Sequence, residues 1–229
     1  MDRRRLLGGM GAATATLLAG CSAVLDDGPE GVVLGEQSDQ VAESEALAYP
    51  AYGQSLPSIE LEDPLNGEVI DVKSIDRTMI LTAIFTYCPA ECGILLNQLA
   101  GVQGMIDEAG LTDDVAFLPI TFDPERDDAE ALADNAETIG ADLSLGNWHY
   151  LRPETPEEAE SLVAEEMGIG FERTTESDRL EDYDFAHPVV TFLANPDAVV
   201  ERTYRGENID RNRVVEDTEA VVEAFTDRE

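Results

Sequence analysis

Apolar residues follow two patterns along this chain of 229 residues, continuous runs and helical spacing. Residues 78–86 and 115–121 are nearly continuous runs of apolar and β-branched residues, which is typical of strands that are buried on both faces of a sheet. Residues 91–109 instead carry apolar side chains at helical spacing and are followed by Gly110, so they predict a helix that ends there. A buried strand followed by a helix is the unit from which α/β folds are built.

The remaining segments extend this pattern. The dipeptide Asn66-Gly67, which lies between residues 56–59 and 69–72, predicts an N-terminal β-hairpin. The other predicted elements are helices at 128–139, 155–167 and 213–225, a short strand at 148–151, and an antiparallel pair of strands at 189–193 and 198–204. Together they predict a three-layer α/β domain over residues 49–229, with an added N-terminal hairpin.

The first 21 residues predict an export signal. Arg3, Arg4 and Arg5 precede an uncharged run of 15 residues, which is shorter than the ~20 residues of a membrane-spanning helix but typical of a signal peptide. The arginines resemble a twin-arginine signal, and the Leu-Ala-Gly before Cys21 resembles a lipobox. We therefore expect residues 1–21 to be a lipoprotein signal peptide and Cys21 to carry a lipid. This places the protein on the extracytoplasmic face of the cell membrane.

Residues 22–48 are rich in Asp, Glu, Gly, Ser and Gln and poor in large apolar residues. This composition predicts a flexible acidic tether. A flexible chain of this length has a root-mean-square span of roughly 28 Å. It would let the folded domain reach a partner in the same membrane.

Acidic residues dominate the charge of the whole chain. There are 49 Asp and Glu against 14 Lys and Arg, which gives a net charge of −35, and Lys73 is the only lysine. Such a surface repels nucleic acid, because binding to phosphates depends on basic side chains. The acids recur along the chain rather than in one tail, and their repulsion destabilises a compact state unless molar salt screens it. The composition therefore predicts a protein of a halophile, such as a haloarchaeon, that does not bind nucleic acid.

Two cysteines remain once Cys21 is assigned to the lipid. Cys88 and Cys92 lie where the strand at 78–86 ends and the helix at 91–109 begins, which is the edge at which open α/β sheets bind ligands. The helix start favours a thiolate, and side chains four positions apart in a helix are neighbours, so the sulfurs can meet. Core thiols or a structural disulfide are the alternative, although a bridge over so short a loop constrains the unfolded chain little.

The chain has only two histidines. His187 directly precedes the predicted strand at 189–193, and this end of the strand can lie beside the first strand-to-helix turn. Two thiolates and one imidazole are a soft set of ligands that suits copper, as Cu(I) or Cu(II), whereas zinc usually takes a fourth ligand. His149 lies within a predicted short strand, and we interpret it as an ordinary strand residue.

These motifs together resemble the Sco/SenC family of copper-handling proteins, which have a thioredoxin-like fold. The resemblance covers residues 49–226 and has three ordered features. The first is a strand followed by Cys88-Pro89-Ala90-Glu91-Cys92, the second is the Asp-Pro-x-Arg-Asp segment at 123–127, and the third is His187 followed by a strand and the Asn-Pro-Asp turn at 195–197. The resemblance implies a thioredoxin-like three-layer sandwich in which Cys88, Cys92 and His187 bind one copper ion.

The resemblance also implies a function. Members of the family deliver copper to the binuclear copper site of cytochrome oxidase subunit II, or reduce the cysteines of that site. The expected partner is therefore this subunit or another copper or thiol protein. Asp123 and Asp127 match acidic positions of the family segment, although Asp127 is also placed to cap the helix that follows.

Two departures from the family pattern raise a second interpretation. The family usually has Asp before its histidine and a small polar residue after it, whereas this chain has Ala186 and Pro188. Losing the acid removes a hydrogen-bond partner for the imidazole. The His-Pro pair also resembles the cis-proline position of thioredoxins and peroxiredoxin-like proteins. In that interpretation Cys88 and Cys92 are the redox pair of a thiol-disulfide oxidoreductase, without a copper role. A third possibility is an exported binding module with a structural disulfide.

Overall fold

The computed structural model describes residue 29 and residues 31–88, 91–174 and 183–226. The predicted signal peptide and Cys21 lie outside these residues, so export and lipid attachment remain predictions. Within the described ranges, no helix is both long enough and apolar enough to cross a membrane.

The described residues form a mixed α/β fold. Its strands are β1 (Glu60–Asp63), β2 (Glu68–Asp71), β3 (Thr78–Ile84), β4 (Val115–Thr121), β5 (Glu172–Thr174), β6 (Asp184–Ala186), β7 (Val190–Ala194) and β8 (Val200–Arg205). Its helices are α1 (Glu91–Glu108), α2 (Ala129–Ile139), α3 (Pro156–Ala159), which continues as a π-helix (Glu160–Glu166), and α4 (Arg211–Thr226). The predicted helices and the predicted buried strands are all present, with ends that differ by a few residues.

The central sheet has four strands in the order β4-β3-β7-β8. β3 is parallel to β4 and antiparallel to β7, and β8 is antiparallel to β7. Every residue of β3, β4 and β7 is buried, so both faces of these strands are covered, as their continuous apolar runs predict. α1 packs against α2 and α4. The predicted layered α/β architecture is thereby confirmed.

The N-terminal hairpin is confirmed, but its first strand differs from the prediction. β1 pairs with β2 over Glu60–Asp63, whereas the pattern predicts a strand at 56–59. The start of that segment lies beside the turn before β8 instead, where the Leu56 N–H donates to the Ala198 carbonyl and the preceding Ser55 forms a bridge with Val199. The apolar side chains of residues 56–59 are therefore not buried by pairing with β2. The spacing of apolar residues predicts that a segment is buried, but it does not identify the segment with which it pairs.

Two further elements differ from the sequence pattern. Residues 148–151 form isolated parallel bridges beside β4, from Trp148 to Phe117 and from Leu151 to Ile120, rather than a strand. The β5–β6 hairpin is not predicted at all. Its strands have three residues each and contain charged side chains, so they lack the apolar alternation by which strands are recognised.

The described part of the predicted tether lies on the domain. The main-chain N–H groups of Val33 and Leu34 donate to the Glu201 carboxylate at 3.1 and 3.0 Å, and the Gln37 amide exchanges two hydrogen bonds with the main chain of Thr203. Glu201 is fully buried, and a buried carboxylate requires such donors. A flexible tether over all of residues 22–48 does not agree with these contacts. That prediction remains only for the residues before this docked segment.

The direction of the strands brings three segments to one edge of the sheet. The carboxyl ends of β3 and β4 lie side by side, because the two strands are parallel and in register. The amino end of β7 lies beside the carboxyl end of β3, because these strands are antiparallel. The segments that follow β3 and β4 and the residues that precede β7 therefore meet at this edge, which is where Cys88, residues 123–127 and His187 lie.

Candidate metal and thiol site

Cys88 and Cys92 lie at the start of α1, as the sequence predicts. The Cys92 main-chain N–H donates to the Cys88 sulfur at 3.3 Å, and the Cys88 N–H donates to the Phe85 carbonyl at 3.3 Å. Cys92 is buried, with 2 % of its surface exposed, whereas Cys88 is half-buried. The two are not joined in a disulfide. Cys88 is therefore the sulfur that an incoming molecule meets first.

The environment of Cys92 favours the protonated thiol. Its pKa is raised, first by a side-chain hydrogen bond with Cys88, then by burial and by the negative charge of nearby groups that include Glu91. Burial penalises a thiolate because the charge loses its hydration. A metal ion that binds here must displace the thiol proton, so we expect metal affinity to rise with pH.

His187 lies against Cys92. Its Nε2 atom is 3.5 Å from the Cys92 sulfur, and its Nδ1 atom is 3.1 Å from the Pro188 carbonyl oxygen. A carbonyl only accepts, so Nδ1 carries the proton in this contact and Nε2 presents a lone pair to the sulfur. The described residues contain no cis peptide bond, so the His187-Pro188 bond is trans.

The aromatic rings around His187 are residues that sequence reasoning missed. The imidazole packs edge to face against Phe122 at 4.9 Å and Phe85 at 5.8 Å between ring centroids. Both rings follow directly after buried strands that end at the same edge of the sheet. Their positions in the sequence could have identified them, because side chains that directly follow neighbouring parallel strands face the same crevice.

The separation of Cys92 and His187 fits a shared metal ion. Nitrogen and sulfur ligands about 2.0 and 2.3 Å from a tetrahedral ion such as zinc are roughly 3.5 Å apart, which is the distance observed here. Within the described ranges, however, no group of three His, Cys, Asp or Glu side chains is gathered tightly enough to hold an ion. The Cys88 sulfur lies 3.8 Å from the Glu91 carboxylate. Cys92 and His187 are thus already at the separation of two ligands of one ion, whereas Cys88, the third proposed ligand, is near them in the fold but contacts Glu91.

Asp127 joins the ends of β3 and β4 and does not cap a helix. Its buried carboxylate accepts hydrogen bonds from the Thr86 N–H at 3.1 Å and from the hydroxyls of Thr86 and Thr121. The residue that caps α2 is Asp128, which accepts from the Ala131 N–H at 2.9 Å. Thr86 is two positions before Cys88, so Asp127 fixes the main chain where the cysteine loop begins.

Burial raises the pKa of Asp127 to about 6, although the hydrogen bonds from both threonines oppose the shift. Because this pKa lies above the usual value of 3.8, folding favours the protonated carboxyl. We expect this stabilisation to be complete below about pH 4 and to be lost as the pH rises through about 6. The two-unit difference corresponds to roughly 3 kcal/mol. Urea unfolding of the parent and of Asp127→Asn at constant molar salt, over this pH range, measures it.

The exposed neighbour Asp128 is the control for this prediction. Asn caps a helix about as well as Asp, so the difference between the parent and Asp128→Asn should change little with pH. A constant difference between the parent and Asp127→Asn from pH 4 to about 7 would contradict the raised pKa.

His149 is not part of this site. It is buried, and its Nδ1 atom is 3.1 Å from the Asp63 carboxylate in the N-terminal hairpin. Its main-chain N–H donates to the Phe117 carbonyl in β4. These contacts agree with its interpretation as an ordinary residue of the fold.

The fold and the site define a class of protein. A helix that starts with a cysteine pair at the end of a central strand is the arrangement of a thioredoxin-like fold, and here a histidine just before the neighbouring antiparallel strand lies opposite the pair. A family model described as SCO1/SenC matches residues 61–223. The chain therefore belongs to the SCO1/SenC family.

Solved structures of this family share the fold. ScoI of Arabidopsis thaliana with copper bound is 26% identical, with a TM-score of 0.58 over 76% of this chain and 98% of that one. Yeast Sco1 with copper bound is 21% identical, with a TM-score of 0.60 over 74% and 90%. BsSco, described as having a disulfide switch and as a member of the Sco family of cytochrome c oxidase assembly proteins, is 18% identical, with a TM-score of 0.61 over 73% and 93%. No match to a curated protein was found.

Proposed function

We propose that this protein binds one copper ion through Cys88, Cys92 and His187 and transfers it to another copper protein during assembly of cytochrome oxidase. The observation that carries the proposal is the 3.5 Å contact between the Cys92 sulfur and His187 Nε2, which the fold creates between residues 95 positions apart. Membership of the SCO1/SenC family supports the proposal, and so do the copper-bound structures of the Arabidopsis and yeast proteins.

The donor atoms suit copper as the transferred ion. Two thiol sulfurs favour Cu(I), and the imidazole nitrogen accommodates Cu(II). In the neutral imidazole, the hydrogen bond from Nδ1 to the Pro188 carbonyl leaves Nε2 as the nitrogen that has the lone pair and directs it at the site, which is the usual way in which a second partner orients a ligating histidine. Because Cys88 is the more exposed sulfur, it is the donor from which a thiol of the recipient can begin to take the ion.

The proposed location follows from the first 21 residues. Export and a lipid on Cys21 would hold the protein at the extracytoplasmic face of the membrane. The binuclear copper site of cytochrome oxidase subunit II is the recipient that we propose. Mass analysis of the protein isolated from membranes tests the anchor, because lipid attachment adds a defined mass to a chain that begins at Cys21.

Reduction of a partner's disulfide is a second candidate function. The half-buried Cys88 accepts a hydrogen bond from the Cys92 main-chain N–H in the first turn of α1, and the thiolate is the form in which a cysteine attacks a disulfide. Attack on a target disulfide would form a mixed disulfide and release one target thiolate. Attack by Cys92 would then form the Cys88–Cys92 disulfide and release the second target thiolate, with the Cys92 proton passing to solvent. BsSco is described as having a disulfide switch.

Anaerobic titration of the reduced protein with copper tests the leading proposal. We expect one copper per chain, release of thiol protons on binding, and no stoichiometric binding after the cysteine pair has been oxidised. Thiols are counted in the same samples. A reduced protein that takes up no stoichiometric copper, yet reduces a disulfide substrate, would replace the copper proposal with the oxidoreductase function.

A further inference from the structure

Tyr183 joins the segment that follows β4 to the β5–β6 hairpin. Its ring lies between the guanidinium groups of Arg126 and Arg173, each 3.7 Å from the ring centroid. Its hydroxyl donates to the buried Asp123 carboxylate at 2.8 Å, and its carbonyl accepts from Arg126 at 2.9 Å. We call these four residues the tyrosine clasp.

The clasp uses the acidic and basic residues of segment 123–127. Asp123 also pairs with Arg126, and Glu125 pairs with Arg173. The Asp123–Arg126 pair is largely buried, whereas the Glu125–Arg173 pair is exposed. Molar salt weakens an exposed pair far more than a buried one. The buried Asp123–Arg126 pair therefore still holds Tyr183 at the molar salt concentration that the acidic composition predicts.

The hairpin needs such an attachment. Among the residues that the structure describes, β5 and β6 pair only with each other, over three residue pairs, and form a sheet separate from the central one. A two-stranded hairpin alone is marginally stable in water. Phe185 also attaches the hairpin, because its ring packs against Phe85 and Phe122, each 5.3 Å away between ring centroids.

His187 follows directly after β6. Its imidazole packs on Phe85 and Phe122, the same two rings that Phe185 of β6 contacts, so the hairpin and the imidazole share one contact surface. Tyr183 does not touch the imidazole, and it is four positions away in the chain. Its effect on His187 must pass through the main chain of β6 and through Phe185.

We propose that the tyrosine clasp positions His187 against Cys92, so that Tyr183 is a positioning residue for copper binding. The expected effect on copper affinity rests on the proposed copper function, but the position of His187 against Cys92 can be tested without metal. It also gives the segment at 123–127 a role that does not include binding the ion. The clasp holds the hairpin that carries the histidine, and Asp127 separately holds the cysteine loop.

NMR of the metal-free, reduced full chain tests the geometry. The chain has only two histidines, so the imidazole signals of His187 and His149 are easily separated. In Tyr183→Leu we expect the ring-shifted His187 signals to move towards those of a solvated histidine, because the packing against Phe85 and Phe122 is lost. The His149 signals should not move, which shows that the domain is still folded. Tyr183→Phe keeps the stacked ring and should largely restore the His187 signals.

Tyr204 provides a matched control. Its hydroxyl donates to Asp217 at 2.8 Å and its ring lies near Arg213, so it has the same chemistry on a strand that does not carry His187. We expect Tyr204→Leu to leave the His187 signals unchanged. A shift of those signals equal to that in Tyr183→Leu would overturn a specific role for the clasp.

Copper titration tests whether the tyrosine clasp affects copper affinity. We expect Tyr183→Leu to weaken copper affinity by about tenfold or more, as for other residues that orient ligands, and to change the Cu(II) spectrum towards that of His187→Ala. In a His187→Ala background, Tyr183→Leu should have no further effect, because the two changes act through one ligand. An equal loss in both backgrounds would overturn the proposal.

The two proposals fail differently. Unchanged His187 signals in Tyr183→Leu would overturn the clasp whether or not the protein binds copper. Shifted His187 signals in a protein that binds no copper would support the positioning and refute the copper function.

Discussion

Replacing either Cys88 or Cys92 by serine is expected to abolish stoichiometric copper binding by the reduced protein. A serine hydroxyl stays protonated and is a hard donor, so it does not replace a thiolate as a ligand for copper. Loss of a residue that merely orients a ligand costs about 10- to 100-fold in affinity, so we expect loss of a ligand to cost more than about 100-fold. Competition with a chelator of known affinity, under reducing conditions, measures this loss.

His187→Ala belongs to the same experiment, with a different expected pattern. Cu(I) retains two sulfur ligands in this variant, so its binding should weaken less than in the cysteine variants, whereas Cu(II) loses its nitrogen ligand. His149→Gln is the matched control, because His149 bonds to Asp63 outside the site. Parent-like affinity of His187→Ala for both oxidation states would remove the three-ligand proposal and leave the cysteine pair alone.

Dilution from about 2 M to 0.1 M salt is expected to lower the free energy of unfolding by roughly 5 kcal/mol or more, since the Debye length grows from a few ångströms to about 10 Å. The net charge of −35 then repels itself across the whole compact domain. A loss of this size is comparable with the entire stability of an ordinary domain. We therefore expect the protein to unfold at low salt, which thermal melts in a series of sodium chloride concentrations measure.

Three exposed acids provide a variant for this prediction. Glu108, Glu137 and Glu223 lie in the last turns of α1, α2 and α4, where a negative charge also opposes the helix dipole. Replacing all three by Gln should raise stability at low salt and reduce the salt dependence, whereas Thr138→Ala on α2 should leave the salt dependence unchanged. A melting temperature that does not change with salt would contradict the halophilic interpretation but not the copper proposal.

The fold was predictable where burial leaves a strong pattern. The continuous apolar runs of β3 and β4 and the helical spacing in α1 identified those elements almost to the residue, because both faces of the strands and one stripe of the helix are in the core. The β5–β6 hairpin had no such pattern, since its strands are short and mix charged residues with one phenylalanine, and it is held by side chains of a distant segment. The docked residues Val33 and Leu34 were also missed, because their partner is a buried carboxylate in β8 rather than an apolar surface.

Residue types and their order were enough to determine which atoms are available for chemistry in this protein. A cysteine pair at the start of a helix, one histidine before a buried strand and an acidic surface can be read without coordinates, because each depends on neighbours in the chain or on composition. Only the tertiary structure decided that His187 Nε2 lies 3.5 Å from the Cys92 sulfur, that Asp127 binds Thr86 rather than capping α2, and that Tyr183 lies between two arginines. Those contacts join residues brought together by strand pairing and side-chain packing, and such long-range partners are not encoded in the local pattern from which elements are predicted.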